Sequence, residues 1–516
     1  MDNWMTGMAR GRWLPAWYTG FALYAAGVAL FSGLGQDHWW GTWAAGGYAV
    51  AAALALLARR YPRGGRRLVG ASVGVSVAVG LIAPTAWLMA TAQALPDVTV
   101  VARSGVLLLH HGTPYLPLTA LATGGWLAYN PYLPVMALFG LPGALGLPGG
   151  TRPALIVITF VLLYVTFRAL RIPGRAALGW AAFALSCPII AFPLTMGITD
   201  PPVIALTCLA LALLARRPVQ AEAPGPRAGA QNTRAGAQDP RAGAPSQTAA
   251  QTGAPGQTAV RRGLVLAAIV LGVACAMKYT AWPALAVIVV MVLARDGVRA
   301  GIRFAGIATG TAVALVAALA PAALPHPAAI IANTVAYPLG LTTAKSPAQS
   351  PLPGHLLATL GPGGHAAALV LLAVAGLAIV ASLVLAPPVT PAAAANRIAI
   401  GLTALFALCP ATRWGYFIYP LALIALGAVE RSLARSRPQR GGLGQCGALG
   451  QRGGLGQPEA ESLVEQLGQD DLERGDGLRP VSAAVVLQDD RAGVSIVQDV
   501  LHDGADAGPR PVLRVD

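Results

Sequence analysis

Between Asp97 and Asp200 the chain carries no acidic side chain. Of its 21 Asp and Glu, 13 lie after residue 458, and Glu222 and Asp239 sit in a polar spacer. Asp2, Asp37, Asp97, Asp200, Asp296 and Glu430 serve all the rest. A soluble protein has about a quarter of its residues charged, whereas here 11% are charged and 55% hydrophobic. Such a chain cannot clothe a water-facing surface, which excludes an ordinary soluble domain. An ionised group near the bilayer centre costs about 2.5–3.5 kcal/mol on insertion scales, so each surviving acid needs a reason. The expected fold class is all-α, a polytopic transmembrane helical bundle.

A span needs about 20 largely apolar residues. Apolar length marks 14–34, 41–58, 68–92, 154–170, 176–196, 201–215, 263–279, 281–294, 304–324, 366–386, 397–411 and 415–429, about twelve spans. The net charge of +15 is no nucleic-acid signature, because the arginines cluster at the ends of these runs. Arg59 to Arg67, Arg168 to Arg175, Arg295 to Arg303 and Arg431 to Arg440 are examples. Placing every cluster in the cytoplasm puts both termini inside and leaves 93–153 and 325–365 outside. The segment 130–147 is apolar enough to span, but its prolines and glycines suit a re-entrant or interfacial piece, and that alternative keeps the arginines inside. The first apolar run lacks a cleavage pattern and is kept as an anchor. The 34 Arg against 2 Lys, with abundant Ala, Gly and Pro, suggest a GC-rich bacterial genome.

The expected organisation is helices over 1–217, a cytoplasmic linker over 218–262, helices over 263–430 and a disordered tail over 431–516. The linker repeats PRAGAQN, TRAGAQD and PRAGAPS and has nothing to bury. The tail is glycine-rich, then acidic. Cys187, Cys208, Cys275 and Cys409 lie in apolar runs and Cys446 in the tail. No spacing resembles a disulfide framework or a metal site, so no cofactor is expected and a divalent cation finds no support.

Chemistry concentrates in the first outer loop. PDVTVVARSGVLLLHHG reads as a short helix at the membrane surface with Asp97 in its first turn. There a carboxylate meets unpaired backbone N–H groups, so Asp97 either caps the helix or acts as a general base or a metal anchor at the membrane–water boundary. His110 and His111 are adjacent and point in different directions, against a metal pair. Arg413 lies at the outer end of the penultimate run, in PATRWGYFIYP. It grips a phosphate or snorkels to the headgroups. Arg103 and Lys345 are further outer cations. Lys278 ends an apolar run and pairs with Asp200 if both are buried. The proline-rich stretch from Tyr337 to His355 is a lid or an ordinary surface loop.

The order of these features resembles the GT-C-type membrane glycosyltransferases, in their polyprenol-dependent, mannosyltransferase-like bacterial branch. The likeness rests on Asp97 after a span, Gly112-Thr113-Pro114-Tyr115, and Tyr129-Asn130-Pro131-Tyr132-Leu133-Pro134. It continues through Gly197-Ile198-Thr199-Asp200-Pro201-Pro202 and Leu271 to Thr280. The resemblance implies an enzyme of the bacterial cell membrane that moves a hexose from a polyprenyl-phosphate donor to an extracytoplasmic glycan or glycolipid acceptor. Asp97 would be its catalytic base, and Arg413, Arg103, Tyr115, Tyr132 and Lys345 its substrate-binding residues. The alternative is a transporter or lipid flippase, which expects polar or broken helices near the midplane.

Overall fold

The computed structural model describes residues 13–61, 64–91, 93, 95–147, 150–216, 255–325, 327–344 and 346–435. The chain separates into two units, Met1–Ala434 and Arg435–Asp516, and of the second only Arg435 is described. Among the described residues the regular elements are all helical, beside one isolated bridge between Gln349 and Thr412.

Nine helices among the described residues are long and apolar enough to cross a bilayer, or ten if the bent pair Gly174–Ser186 and Pro188–Met196 counts as one span. The protein is therefore a multi-pass membrane bundle. The run 201–215 forms Asp200–Ala215, a helix of 16 residues, shorter than the about 20 a span requires. The run 263–279 overlaps the helix Pro255–Met277, which stops two residues short of its end and starts eight before it, so helix begins inside the stretch expected as linker. At the other end helix continues to Arg435, into the stretch expected as tail. The remaining linker and tail expectations lie outside the described residues. The segment 130–147 contributes only the 3₁₀ turn Pro134–Gly140 and the short helix Leu141–Ala144. At about 1.5–2 Å per residue these fall short of a bilayer core about 30 Å thick.

Prolines break the helices in predictable ways. Pro84 has no N–H to give Gly80, and the span Gly65–Ala90 passes through a π-turn at Ala78–Ile82 just before it. The freed Gly80 carbonyl accepts from Trp40 Nε1 at 2.9 Å, so no buried acceptor is orphaned. Pro188 holds Cys187 extended (ψ 129°) and turns the chain by 67°, as expected of a residue preceding proline. The Ser186 carbonyl left at that break accepts from Tyr48 Oη at 2.6 Å.

The helices alternate in direction, so their connections collect at two ends. At one end arginines close the C-terminal carbonyls of neighbouring helices. Arg216 donates to Ala169 and Arg168 O at 2.5 and 2.6 Å, and Arg295 to Leu214 O at 3.2 Å. Cations favour helix C-termini. At the other end lie the connections over 93–150, 320–361 and 409–417. They are tied to one another by Asn130 N–H to Asn333 Oδ1 (2.6 Å), Ala322 N–H to Gly112 O (3.4 Å) and Thr412 N–H to Ala348 O (2.9 Å).

Candidate functional site: a charged, aromatic-walled pocket

The helix Pro96–His111 starts at an extended Leu95, takes proline in its first turn and ends at Gly112 in the left-handed conformation (φ 63°). This is the pattern a helix start and stop favour. Leu95 at the N-cap makes no side-chain cap, and Asp97 lies in the first turn. The Asp97 oxygens are engaged elsewhere. Oδ1 accepts from Tyr132 Oη at 2.5 Å and Oδ2 pairs with Arg413 Nη1 at 3.2 Å. Asp97 is thus a cross-link between three chain segments rather than a cap alone.

Tyr132 arrives by an Asx turn, its N–H donating to Asn130 Oδ1 at 3.1 Å. The Leu133 N–H donates to Met277 O at 3.0 Å, which fastens this turn to the end of the helix Pro255–Met277. Tyr132 is 3% exposed. Burial, then the nearby Asp97 carboxylate, hold its phenol well above the usual range, so it remains a donor. Arg413 is extended (φ −134°, ψ 143°) ahead of the turn Trp414–Phe417. Burial disfavours its charge, but the Asp97 carboxylate outweighs this, and its pKa lies above the ordinary value.

These residues line one open cavity. Asp97, Arg413 and Lys278 supply its charges. Trp126, Tyr129, Tyr132, Tyr279, Tyr337 and Tyr416 supply aromatic walls, and Ser346 to Ala348 a further side. Tyr129 and Tyr337 stack at 4.6 Å with 10° between their planes, joining the 93–150 connection to the 320–361 connection. The Tyr337–His355 stretch forms a wall and clamps the arginine strand, since Ser350 N–H donates to Thr412 O (3.0 Å) and Trp414 N–H to Ser350 Oγ (3.1 Å).

Beneath lies a second ion pair. Lys278 Nζ donates to Asp200 Oδ1 at 2.5 Å, with side chains 6% and 2% exposed. The expected Lys278–Asp200 pairing is therefore present. Tyr419 Oη donates to the same Oδ1 at 2.7 Å and receives a bond from Thr280 at 2.9 Å.

Other expected binding residues have different surroundings. Arg103 donates to the Leu127 and Ala128 carbonyls at 2.6 and 3.0 Å, holding the Gly125–Ala128 turn. Its guanidinium is committed to backbone and does not line the cavity. Tyr115 is buried against Ala320 and Ala323 and donates to Tyr132 O at 2.9 Å. It braces the pocket without lining it. Lys345 lies outside the described residues. His110 and His111 are exposed at the helix end, and among the described residues no group of three or more His, Cys, Asp or Glu comes together to hold a metal. Sequence reasoning left out Lys278, Trp126, Tyr279, Tyr337 and Tyr416 as lining residues. The available signal was that Lys278-Tyr279 and Arg413-Trp414 each join a cation to an aromatic.

Fold and pocket define a multi-pass helical membrane protein with a charged, aromatic-walled site at one end. Comparison with known proteins identifies it no further: no family model, no curated protein and no solved structure matches the chain.

Proposed function

We propose that the protein is a GT-C-type membrane glycosyltransferase that moves a hexose, mannose-like, from a polyprenyl-phosphate donor to an acceptor outside the bacterial cell membrane. The observation that carries this reading is the meeting of Asp97 and Arg413, 316 positions apart in the chain, in one aromatic-walled cavity. The arginine-rich helix ends belong in the cytoplasm, which puts the pocket at the outer face, within reach of a lipid-borne donor. Twelve spans with both termini inside complete the topology.

In this reading the acceptor hydroxyl attacks the anomeric carbon from the side of Asp97. The carboxylate takes the hydroxyl proton as the new C–O bond forms. The bond between the anomeric carbon and the phosphate oxygen breaks, and its electron pair leaves with the lipid phosphate, inverting the centre. Arg413, about one-third exposed (32%), meets the phosphate with the edge of its guanidinium not engaged by Asp97. Aromatic rings suit the apolar faces of a sugar and the isoprenyl chain.

The test is Asp97→Asn, which keeps size but accepts no proton. Sugar transfer in membranes should fall by about a hundredfold or more with insertion and melting unchanged. Near-normal transfer would defeat the mechanism. The 67° break after Ser186 favours the alternative of a transporter or lipid flippase, whose sites lie at broken helices. Substrate movement across vesicles without transfer would establish it.

A further inference from the structure

Lys278 occupies an unusual position. Its backbone is extended (φ −154°, ψ 138°) between the helix Pro255–Met277 and the turn Tyr279–Ala281. It lines the cavity although the residue is only 4% exposed. The ammonium lies between two aromatic rings, 5.3 Å from the Tyr132 centroid and 5.4 Å from that of Tyr416. Both rings also line the cavity that holds Arg413.

A buried ammonium needs a counter-charge, because an unpaired buried ion is costly. Asp200 supplies it, and Tyr419, itself held by Thr280, fixes the carboxylate. An ammonium has three donor hydrogens, and among the described residues Asp200 is its one hydrogen-bond acceptor. The ring faces of Tyr132 and Tyr416 satisfy a cation only partly. The arrangement is a buried cation on the wall of an open cavity, with donor capacity left over and a second cation, Arg413, on the same cavity. A purely structural pair has no use for that opening.

We propose that Lys278 is a phosphate seat, taking one oxygen of a phosphate group that Arg413 takes from another side, and that Asp200 is the positioning residue that holds the Lys278 side chain in place. This deepens the glycosyl-transfer reading and rests on it for the identity of the phosphate as that of an isoprenyl phosphate. A lipid headgroup and free phosphate share this chemistry, so both serve as probes.

The experiment measures binding of farnesyl phosphate and of inorganic phosphate to the purified full chain, beside its melting temperature. The variant Asp200→Asn/Lys278→Gln removes both charges and keeps a hydrogen-bonded pair, avoiding an unpaired buried ion. Affinity for both probes should fall at least tenfold while melting stays within a few degrees. Undiminished binding by the folded double variant would overturn the role of Lys278 and leave the enzyme reading standing. No binding of either probe by the unaltered chain would overturn both. A second arm uses Asp200→Asn alone, which leaves a buried cation seeking an anion. Phosphate should raise its melting temperature more than that of the unaltered chain, and an equal rise would overturn the proposal. Farnesyl phosphate binding tighter than inorganic phosphate supports the lipid as source. Equal affinities would overturn that identity while leaving the phosphate seat.

Discussion

Asp97 is held from two sides, and the two partners differ. Tyr132 is buried and braced by Tyr115 and Asn130, whereas Arg413 is partly exposed. Removing the phenol hydroxyl with Tyr132→Phe should lower transfer about tenfold, equal to about 1.4 kcal/mol, because a hydrogen bond to a charged group contributes about 1.5–3 kcal/mol. The measurement is the transfer rate with melting as control, and an unchanged rate would show that Tyr132 does not orient the base. Arg413→Lys keeps the charge but loses the planar fork. Transfer should fall at least tenfold, and full activity would reduce Arg413 to an anchor at the headgroups. The residues legible from sequence were those that broke a pattern. Asp97 and Asp200 bound the acid-free stretch, and Arg413 is an arginine on the side that otherwise lacks clusters. The surroundings of Arg103 and Tyr115 were not legible, for a physical reason. Their partners are backbone carbonyls within the same loop, and no side-chain pattern announces a carbonyl.

At the scale of elements, the pocket depends on a close crossing of backbones. A Cβ on Gly105 would strike the backbone of Gly140, and one on Gly140 would strike the Val101 carbonyl. The helix Pro96–His111 and the turn Pro134–Gly140 therefore touch without side chains between them, which fixes Tyr132 at hydrogen-bond distance from Asp97. Gly140→Val should cost about 1–3 kcal/mol, typical of overpacking, and should reduce transfer further by displacing Tyr132. Gly74→Ala has open space around its Cβ and should leave melting within about 0.5 kcal/mol. Thermal melting of the two variants checks this, and equal stability would show that the crossing relaxes. Helices were legible as apolar runs, but their lengths were not. Pro188 bends one run by 67°, and Asp200–Ala215 has 16 residues, two outcomes that hydropathy reads alike.

For the whole molecule, the two ends differ in what they do with charge. One spends arginines on helix C-termini, and the other gathers two ion pairs around a cavity. If the arginine end is cytoplasmic, a cysteine at exposed His111 should react with an impermeant maleimide applied to intact cells, and one at exposed Arg299 should not. The reverse pattern would invert the bundle and place the pocket inside the cell. The distribution of the pocket along the chain also bears on how the protein is made. Asp97 emerges early in synthesis, Tyr132 and Lys278 follow, and Arg413 arrives 316 residues after the acid it pairs with. A ribosome that stalls before Arg413 releases a chain that already holds most of the described helices and lacks the Asp97–Arg413 pair. On the proposed function, a copy broken off before Arg413 is silent rather than defective.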